Sequence, residues 1–124
     1  MDKAKQPVIN STSFGFIKVD GEDYEYDIII TLEGQVKKRK KKLSKAIYGT
    51  SHTISLPEIE YLYQEATKGI LIGSGQYGVA RLSEEASAFL SEKGCSVIIR
   101  ATPDAIKEWN NQEDNWIGLF HITC

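Results

Sequence analysis

The sequence predicts one α/β domain with a mixed central β-sheet, in which an N-terminal antiparallel β-meander precedes a βαβαβ unit. Three observations predict this three-layer fold. The first half of the chain alternates apolar and polar residues with a period of two. The second half alternates short apolar runs with segments of helical periodicity. The length of 124 residues suffices for one hydrophobic core. Residues 1–6 are interpreted as a flexible tail and residues 7–124 as the domain.

The composition excludes several classes of protein. Hydrophobic residues make up 41% and charged residues 26%, as in soluble globular proteins. No apolar run approaches the roughly 18 residues that membrane insertion needs. The polar N-terminus leads into no signal peptide, so we expect a cytoplasmic protein. The two cysteines, Cys95 and Cys124, form no C-x-x-C motif, and the sequence predicts no disulfide framework, metal site or cofactor.

The N-terminal half predicts antiparallel strands. Residues 14–19 and 22–32 are β-rich and flank Asp20-Gly21, the strongest short hairpin signal because both central residues of a type I′ turn need a positive φ. Glu33-Gly34 predicts another turn. A third strand, which would carry lysines, is expected from Gln35 onward.

The C-terminal half predicts helices that alternate with strands. Pro57 suits the first turn of a helix, and residues 70–72 are a short apolar strand. Ser83 is a candidate cap for a second helix, followed by a strand over residues 95–101, where Cys95 is expected in the core. Residues 102–104 predict a helix start with the Thr102 hydroxyl as cap, and residues 116–123 predict the last strand.

The last three strands define the predicted site. Right-handed crossovers through helices make these strands parallel, so their carboxyl ends lie along one edge of the sheet. Ligands bind at this edge in open α/β sheets. The sequence therefore predicts a groove there for a ligand or partner, and the predicted ligand-binding residues are Gly73, Ser74, Gly75, Gln76, Arg100, Thr102 and Thr123.

Residues 73–78 match G-x-G-x-x-G, the dinucleotide fingerprint. The match fails in two places: the candidate helix cap Ser83 comes too late, and Arg100 stands where a ribose-binding carboxylate is expected. The milder alternative is a small anion, held by the loop amides together with Arg81, Arg100 and the helix start at Thr102. A third interpretation is that the glycines only permit a tight loop.

His121 and Cys124 are the candidate catalytic residues, as base and nucleophile of a small hydrolase or transferase. In a regular strand these two residues point to opposite faces, so a direct pair requires the chain to bend. His52 is the other histidine that could approach Cys124. The competing interpretation is a structural histidine with no catalytic role.

The charge is uneven. The net charge is −2, yet seven of the fifteen basic residues lie between positions 37 and 45, and no acidic residue occurs between Glu33 and Glu58. Such a stripe favours an anionic partner or a solvated loop. No aromatic residue interrupts the lysines, which disfavours nucleic acid. The only candidate nucleic-acid patch is Lys37, Lys38, Arg39, Lys40, Lys41 and Lys42.

The chain resembles a known family of small single-domain proteins, which includes the adipogenesis-associated protein and an assembly factor of mitochondrial respiratory complex I. The resemblance runs from about Pro7 to Cys124. It is carried by Phe14-Gly15, Val19, Gly21, Tyr24, Asp27, Gly49, His52, residues 72–76, Thr102-Pro103 with Ala105, Asn110, and residues 120–124.

The resemblance implies a three-layer α/β domain without an established activity. Complex I assembly belongs to the mitochondrial branch, and because no transit peptide is evident, that role is not transferred. We expect a non-enzymatic ligand-binding or assembly-type domain, whose partner is a protein or a small anionic ligand. The alternative is the hydrolase or transferase that uses Cys124 with a histidine.

Overall fold

The computed structural model describes residues 6–124, which form ten strands and four helices. Most of the predicted tail therefore lies outside the described residues. The elements are β1 (Ile9–Ser13), β2 (Phe16–Val19), β3 (Glu22–Tyr24), β4 (Ile28–Ile30), β5 (Val36–Lys38), α1 (Lys42–Tyr48), β6 (Thr53–Ile54), α2 (Leu56–Leu62), β7 (Gly69–Ser74), β8 (Arg81–Leu82), α3 (Glu84–Glu92), β9 (Ser96–Arg100), α4 (Thr102–Asn110) and β10 (Trp116–His121).

The central sheet has five strands in the order β5-β4-β10-β7-β9. Strands β10, β7 and β9 are parallel, as predicted, whereas β4 joins β10 antiparallel and β5 joins β4 antiparallel. The predicted mixed sheet is thus confirmed. Two smaller sheets accompany it, β1-β2-β3 and the parallel pair β6-β8.

Apolar cores cover both faces of the central sheet. Leu71 of β7 faces a core that includes the β1-β2 sheet and Trp109 of α4. Its neighbours Ile70 and Ile72 face the opposite core, beneath Ile59 of α2 and α3. Because all of β7 is buried on both faces, its sequence is a continuous apolar run, as is typical of parallel strands. Cys95 lies in the second core, as expected.

The hairpin at Asp20-Gly21 is confirmed, with φ angles of 49° and 83° at its two central residues. The sequence analysis missed β1. That strand precedes β2 in a second antiparallel hairpin, whose turn contains Gly15 at φ 80°.

The predicted strand over residues 22–32 is wrong as a single element. The chain leaves the small sheet after Tyr24, and it enters the central sheet at Ile28. The intervening Asp27 is buried, and its carboxylate accepts the backbone N–H of Ile122 at 2.9 Å. This tertiary bond holds the chain at the crossing between the two sheets, and the alternating pattern does not reveal it.

The turn at Glu33-Gly34 is confirmed by the hydrogen bond from the Gly34 N–H to the Thr31 carbonyl. The lysine-bearing strand that follows is shorter than expected, because β5 ends at Lys38. Of the remaining basic residues, Lys42 and Lys45 lie in helix α1, which was not predicted, and Arg39, Lys40 and Lys41 lie in the segment before it.

The helices near the site begin close to their predicted positions. Pro57 lies in the first turn of α2, and Ser83 caps α3 by accepting the N–H of Ala86 at 3.1 Å. The expectation that the Thr102 hydroxyl caps α4 is wrong, because it makes no capping bond and instead bridges two strand ends. None of the helices in residues 6–124 is both long and apolar enough to cross a bilayer.

Candidate functional site

The three segments that follow β7, β9 and β10 meet at the carboxyl edge of the sheet. The Thr102 hydroxyl, just after β9, donates to the His121 carbonyl at 2.6 Å. It also accepts the N–H of Gly75 at 2.9 Å. The Ser74 hydroxyl donates to the Arg100 carbonyl at 3.1 Å. One threonine side chain therefore connects all three strand ends.

The glycine-containing loop bonds to the segment after β10. The N–H of Gln76 donates to the Thr123 carbonyl at 2.7 Å, and those of Tyr77 and Val79 donate to the Cys124 carbonyl. Gly75 adopts a φ of 104°, and a Cβ there would overlap the Cys124 carbonyl. In this conformation the amides of Gln76, Tyr77 and Val79 point at carbonyls of the chain itself.

The other predicted ligand-binding side chains are dispersed. Gln76 donates its amide to the Thr12 hydroxyl at 3.1 Å. The guanidinium of Arg100 lies 4.0 Å from Glu108 of α4 and donates to the Ile99 carbonyl. The strand β8, which contains Arg81, separates the loop from α3. Because of this separation, α3 does not begin at the loop as the helix of a dinucleotide site does.

Asp27 and His121 form a buried pair beside this edge. The imidazole Nδ1 donates to the Asp27 carboxylate at 2.8 Å, and this nitrogen carries the hydrogen because an ionised carboxylate only accepts. Burial, the largest single influence, would raise the pKa of Asp27. The hydrogen bond and charge of His121, the Ile122 amide and the charge of Arg39 together hold it below its ordinary value.

Arg39 extends this pair into a buried ionic cluster. Its guanidinium donates to Asp27 at 2.9 Å, to both oxygens of Glu58, and to the Ser51 carbonyl at 2.7 Å. Ser44 of α1 donates to Glu58 as well. Burial alone would lower the pKa of Arg39, but Glu58 and Asp27 raise it, so the guanidinium stays charged.

This cluster was not predicted from the sequence. Arg39 was expected in a surface patch, whereas the residue is 3% exposed. The available signal was chemical: Arg39 is the one arginine among lysines, and a buried position with two carboxylates favours the planar, multiply donating guanidinium.

The residues around the second imidazole nitrogen of His121 are half-buried. The Thr123 hydroxyl lies 3.3 Å from His121 Nε2, and the His52 ring centroid lies 5.4 Å from that of His121. Cys124 contributes its carbonyl to the loop. The structure thus groups both histidines with Asp27, and it places Thr123 beside Nε2.

An exposed aromatic pair lies over the same edge. The N–H of Gly15 donates to the Ile122 carbonyl at 2.7 Å, which anchors the β1–β2 turn against the end of β10. Phe14 and Tyr77 are 57% and 75% exposed, and their ring centroids are 6.2 Å apart. Val79 beside them is 44% exposed. We call Phe14, Tyr77 and Val79 the aromatic patch.

The described part of the chain, residues 6–124, contains no group of three His, Cys, Asp or Glu side chains placed to hold a metal ion. The chemical groups of the site are the Asp27–His121 pair, the hydroxyls of Ser74, Thr102 and Thr123, the Cys124 thiol and the aromatic patch.

This fold and site define a small α/β domain whose loops pack on the carboxyl edge of its sheet, with exposed aromatic residues above them. The family described as a protein of unknown function (DUF498/DUF598) matches residues 9–116, and the chain belongs to that family.

Solved structures share the fold. The conserved hypothetical protein PH1505 from Pyrococcus horikoshii OT3 is 30% identical, with a TM-score of 0.87 over 94% of this chain and 98% of its own. A structure named MT938 is 28% identical, with a TM-score of 0.82 over 96% and 100%. A protein from Bordetella parapertussis, 17% identical with a TM-score of 0.71 over 94% and 95%, shares the fold alone.

Proposed function

We propose that this protein is a non-enzymatic binding or assembly-type domain that docks a protein partner through the aromatic patch at the carboxyl edge of the sheet. The observation that carries the proposal is the exposed Phe14–Tyr77 pair. Two large aromatic side chains exposed side by side favour a protein interface, where such residues are enriched.

The bonded edge beneath the patch supports the proposal. Gly15 and Gly75 fix the two loops that present Phe14 and Tyr77, each through hydrogen bonds to the end of β10 or to α4. A rigid patch loses little conformational entropy on binding.

Direct ligand contacts of Gly73, Ser74, Gly75, Gln76, Arg100, Thr102 and Thr123 stay a prediction. Many of the amides and hydroxyls of these residues bond to the chain itself in this conformation. We therefore infer that a partner meets Phe14 and Tyr77 first. The resemblance to the family with the adipogenesis-associated protein and the complex I assembly factor implies no established activity, so the proposal rests on the aromatic patch, and the cytoplasm is the expected compartment.

Site-specific photo-crosslinking tests this proposal. A benzophenone amino acid replaces Tyr77, or Tyr48 as an exposed aromatic control on α1. We expect a discrete adduct from the Tyr77 position, and Phe14→Ser should remove it. The purified partner should then bind in a calorimetric titration, and Phe14→Ser should weaken that binding as well. Equal adducts from both positions, or an adduct that Phe14→Ser leaves unchanged, would contradict the proposal.

One observation favours a second function, the hydrolase or transferase with Cys124 as nucleophile. Asp27 orients His121, and a carboxylate–histidine pair is the usual activating arrangement for a thiol or hydroxyl. The His121 Nε2 faces Thr123, which makes Thr123 the competing nucleophile. Ester and thioester turnover is measured for the wild type, Cys124→Ala and Thr123→Val. Turnover that only Cys124→Ala abolishes supports this function, and turnover unaffected by both variants contradicts it.

A further inference from the structure

The lysine-rich stretch forms one wall of a cavity at the opposite end of β4 and β5 from the turn at Gly34. Its exposed lysines are at positions 37, 38, 40, 41, 42 and 45. None of them pairs with a carboxylate in an ion pair within the part of the chain that the structure describes. Their positive charges are therefore available to an external anion.

The cavity has a volume of about 510 Å³, within the range of small-molecule sites. Its walls are Lys38, the three lysines at 40–42, Leu43 and Tyr61. Arg39 also lines it, but Asp27 and Glu58 neutralise that guanidinium. The free positive charge of the cavity thus comes from the lysines at its rim, and Leu43 with Tyr61 supplies apolar surface between them.

Tyr61 changes the chemistry of this stretch. The sequence disfavoured nucleic acid because no aromatic residue lies among the lysines, but α2 brings Tyr61 to them from a different segment. Its ring is 49% exposed, and the ammonium of Lys40 lies 5.4 Å from the ring centroid. A second exposed ring, Tyr26, lies 5.2 Å from the ammonium of Lys38.

We propose that this cavity binds a nucleotide, with the base stacked on Tyr61 and the phosphate held by Lys40 and its neighbouring lysines. A concave site that combines an exposed aromatic residue with several ammonium groups outside any ion pair matches the two parts of a nucleotide, a planar ring and an anion. The same chemistry is offered by a free nucleotide and by a nucleotide within a single strand.

A flat anionic membrane is the main competing partner, because Leu43 and Ile47 of α1 are also exposed beside the lysines. The concave shape of the cavity and the ring of Tyr61 favour a nucleotide over a membrane. This site is distinct from the aromatic patch, so each proposal can fail without the other.

The test titrates the full chain with AMP, a short oligoadenylate, inorganic phosphate, and vesicles of phosphatidylcholine and phosphatidylserine. Tyr61→Ser is compared with Tyr61→Phe, which keeps the ring, and with Tyr77→Ser, which removes a more exposed tyrosine from the other surface. A double variant, Lys40→Gln with Lys41→Gln, removes charge at the rim. Far-ultraviolet circular dichroism verifies the fold of each variant.

We expect binding of AMP or the oligoadenylate to weaken by about tenfold in Tyr61→Ser and to persist in Tyr61→Phe and Tyr77→Ser. The double lysine variant should weaken binding and reduce its salt dependence. Tighter binding of the oligoadenylate than of AMP assigns the site to a strand, and equal binding assigns it to a free nucleotide.

Four results overturn the proposal: no binding of either adenylate, binding that Tyr61→Ser leaves unchanged, competition by inorganic phosphate as strong as by AMP, and binding to the vesicles alone. The first removes the site, the second and third reduce it to a plain cationic surface, and the fourth reassigns it to an anionic membrane.

Discussion

Asp27 and His121 are 94 residues apart in the sequence, yet the imidazole Nδ1 donates a hydrogen bond to the carboxylate at 2.8 Å in the interior of the protein. The same carboxylate accepts the Ile122 N–H and pairs with Arg39. This pair connects the end of β10, the start of β4 and the basic stretch, so it is the point at which the site and the fold depend on each other.

The Asp27 pair makes stability depend on pH. The folded-state pKa of Asp27 lies below its ordinary value of 3.8, so the folded protein favours the carboxylate more than the unfolded chain does. Its stabilisation is complete above the unfolded pKa and is lost as the pH falls through the folded pKa. Asp27→Asn should lower the free energy of unfolding by about 3 kcal/mol at neutral pH.

Urea unfolding at several pH values measures how the stabilisation by Asp27 depends on pH. The difference between the wild type and Asp27→Asn should shrink as the pH falls below 3.8. Asp23→Asn is the control, because Asp23 is exposed and its contact with Lys18 is long. A difference that stays constant down to about pH 2 would show that Asp27 is not held ionised.

Arg39 should be far more sensitive to substitution than its lysine neighbours. Arg39→Ala leaves two buried carboxylates, Asp27 and Glu58, without their cation. We expect a loss of about 3–5 kcal/mol in the free energy of unfolding. Lys41→Ala, at an exposed position, should change it by less than about 0.5 kcal/mol. Equal effects in chemical denaturation would place Arg39 on the surface.

Thr102→Val tests the junction of the three strand ends. The change removes a hydroxyl that serves both the Gly75 N–H and the His121 carbonyl, and each is left buried and unpaired. The expected loss of unfolding free energy is about 1–3 kcal/mol for each group. Thr102→Ser keeps the hydroxyl and should retain most of that stability. A valine variant as stable as the wild type would contradict this role of the hydroxyl.

Gly75→Ala tests how tightly the loop packs on the segment after β10. Its φ is 104°, and a Cβ would lie 2.8 Å from the His121 ring carbon Cδ2. Gly21 is the matched control, since it also has a positive φ but has open space around it. We expect Gly75→Ala to cost about 1–3 kcal/mol more than Gly21→Ala in thermal or urea unfolding. Equal costs would mean that only backbone strain matters.

The two cysteines should differ in reactivity. Burial raises the pKa of the Cys95 thiol to about 11, so it stays protonated near neutral pH. In the folded protein, Ellman's reagent at about pH 8 should therefore modify Cys124, which is only half-buried. It should modify Cys95 only after denaturation. Cys124→Ala should abolish the fast phase. A fast phase that survives this change would reveal an exposed Cys95.

The second half of the chain could be predicted in some detail because its signals are local. Continuous apolar runs indicate β7 and β9, Ser83 marks the start of α3, and the crossover rule makes β10 parallel to β7. The parallel order in turn predicted that the three strand ends would meet. The fate of Thr102 could not be predicted, because a hydroxyl at a helix start is as well placed to bridge strands as to cap the helix.

The first half was harder to predict because distant residues determine its breaks. Nothing in the alternation of residues 22–32 shows that the chain changes sheets, since the bond that holds the crossing comes from Ile122. Arg39 looked like its lysine neighbours, and only Asp27 and Glu58, supplied by other elements, explain its burial. Tyr61 also comes from a different element, so its position beside the lysines could not be predicted from the sequence either.

By itself, the sequence determined the α/β class, the hairpin at Asp20-Gly21, the three parallel strands and their shared edge, since hydrophobic period, turn chemistry and crossover handedness act over short stretches of chain. Only the tertiary structure decided which polar groups are paired inside, which loops close the edge, and which aromatic rings stand beside the lysines. Those outcomes depend on contacts between segments far apart in sequence, where a buried charge or amide takes the partner that the fold places within reach.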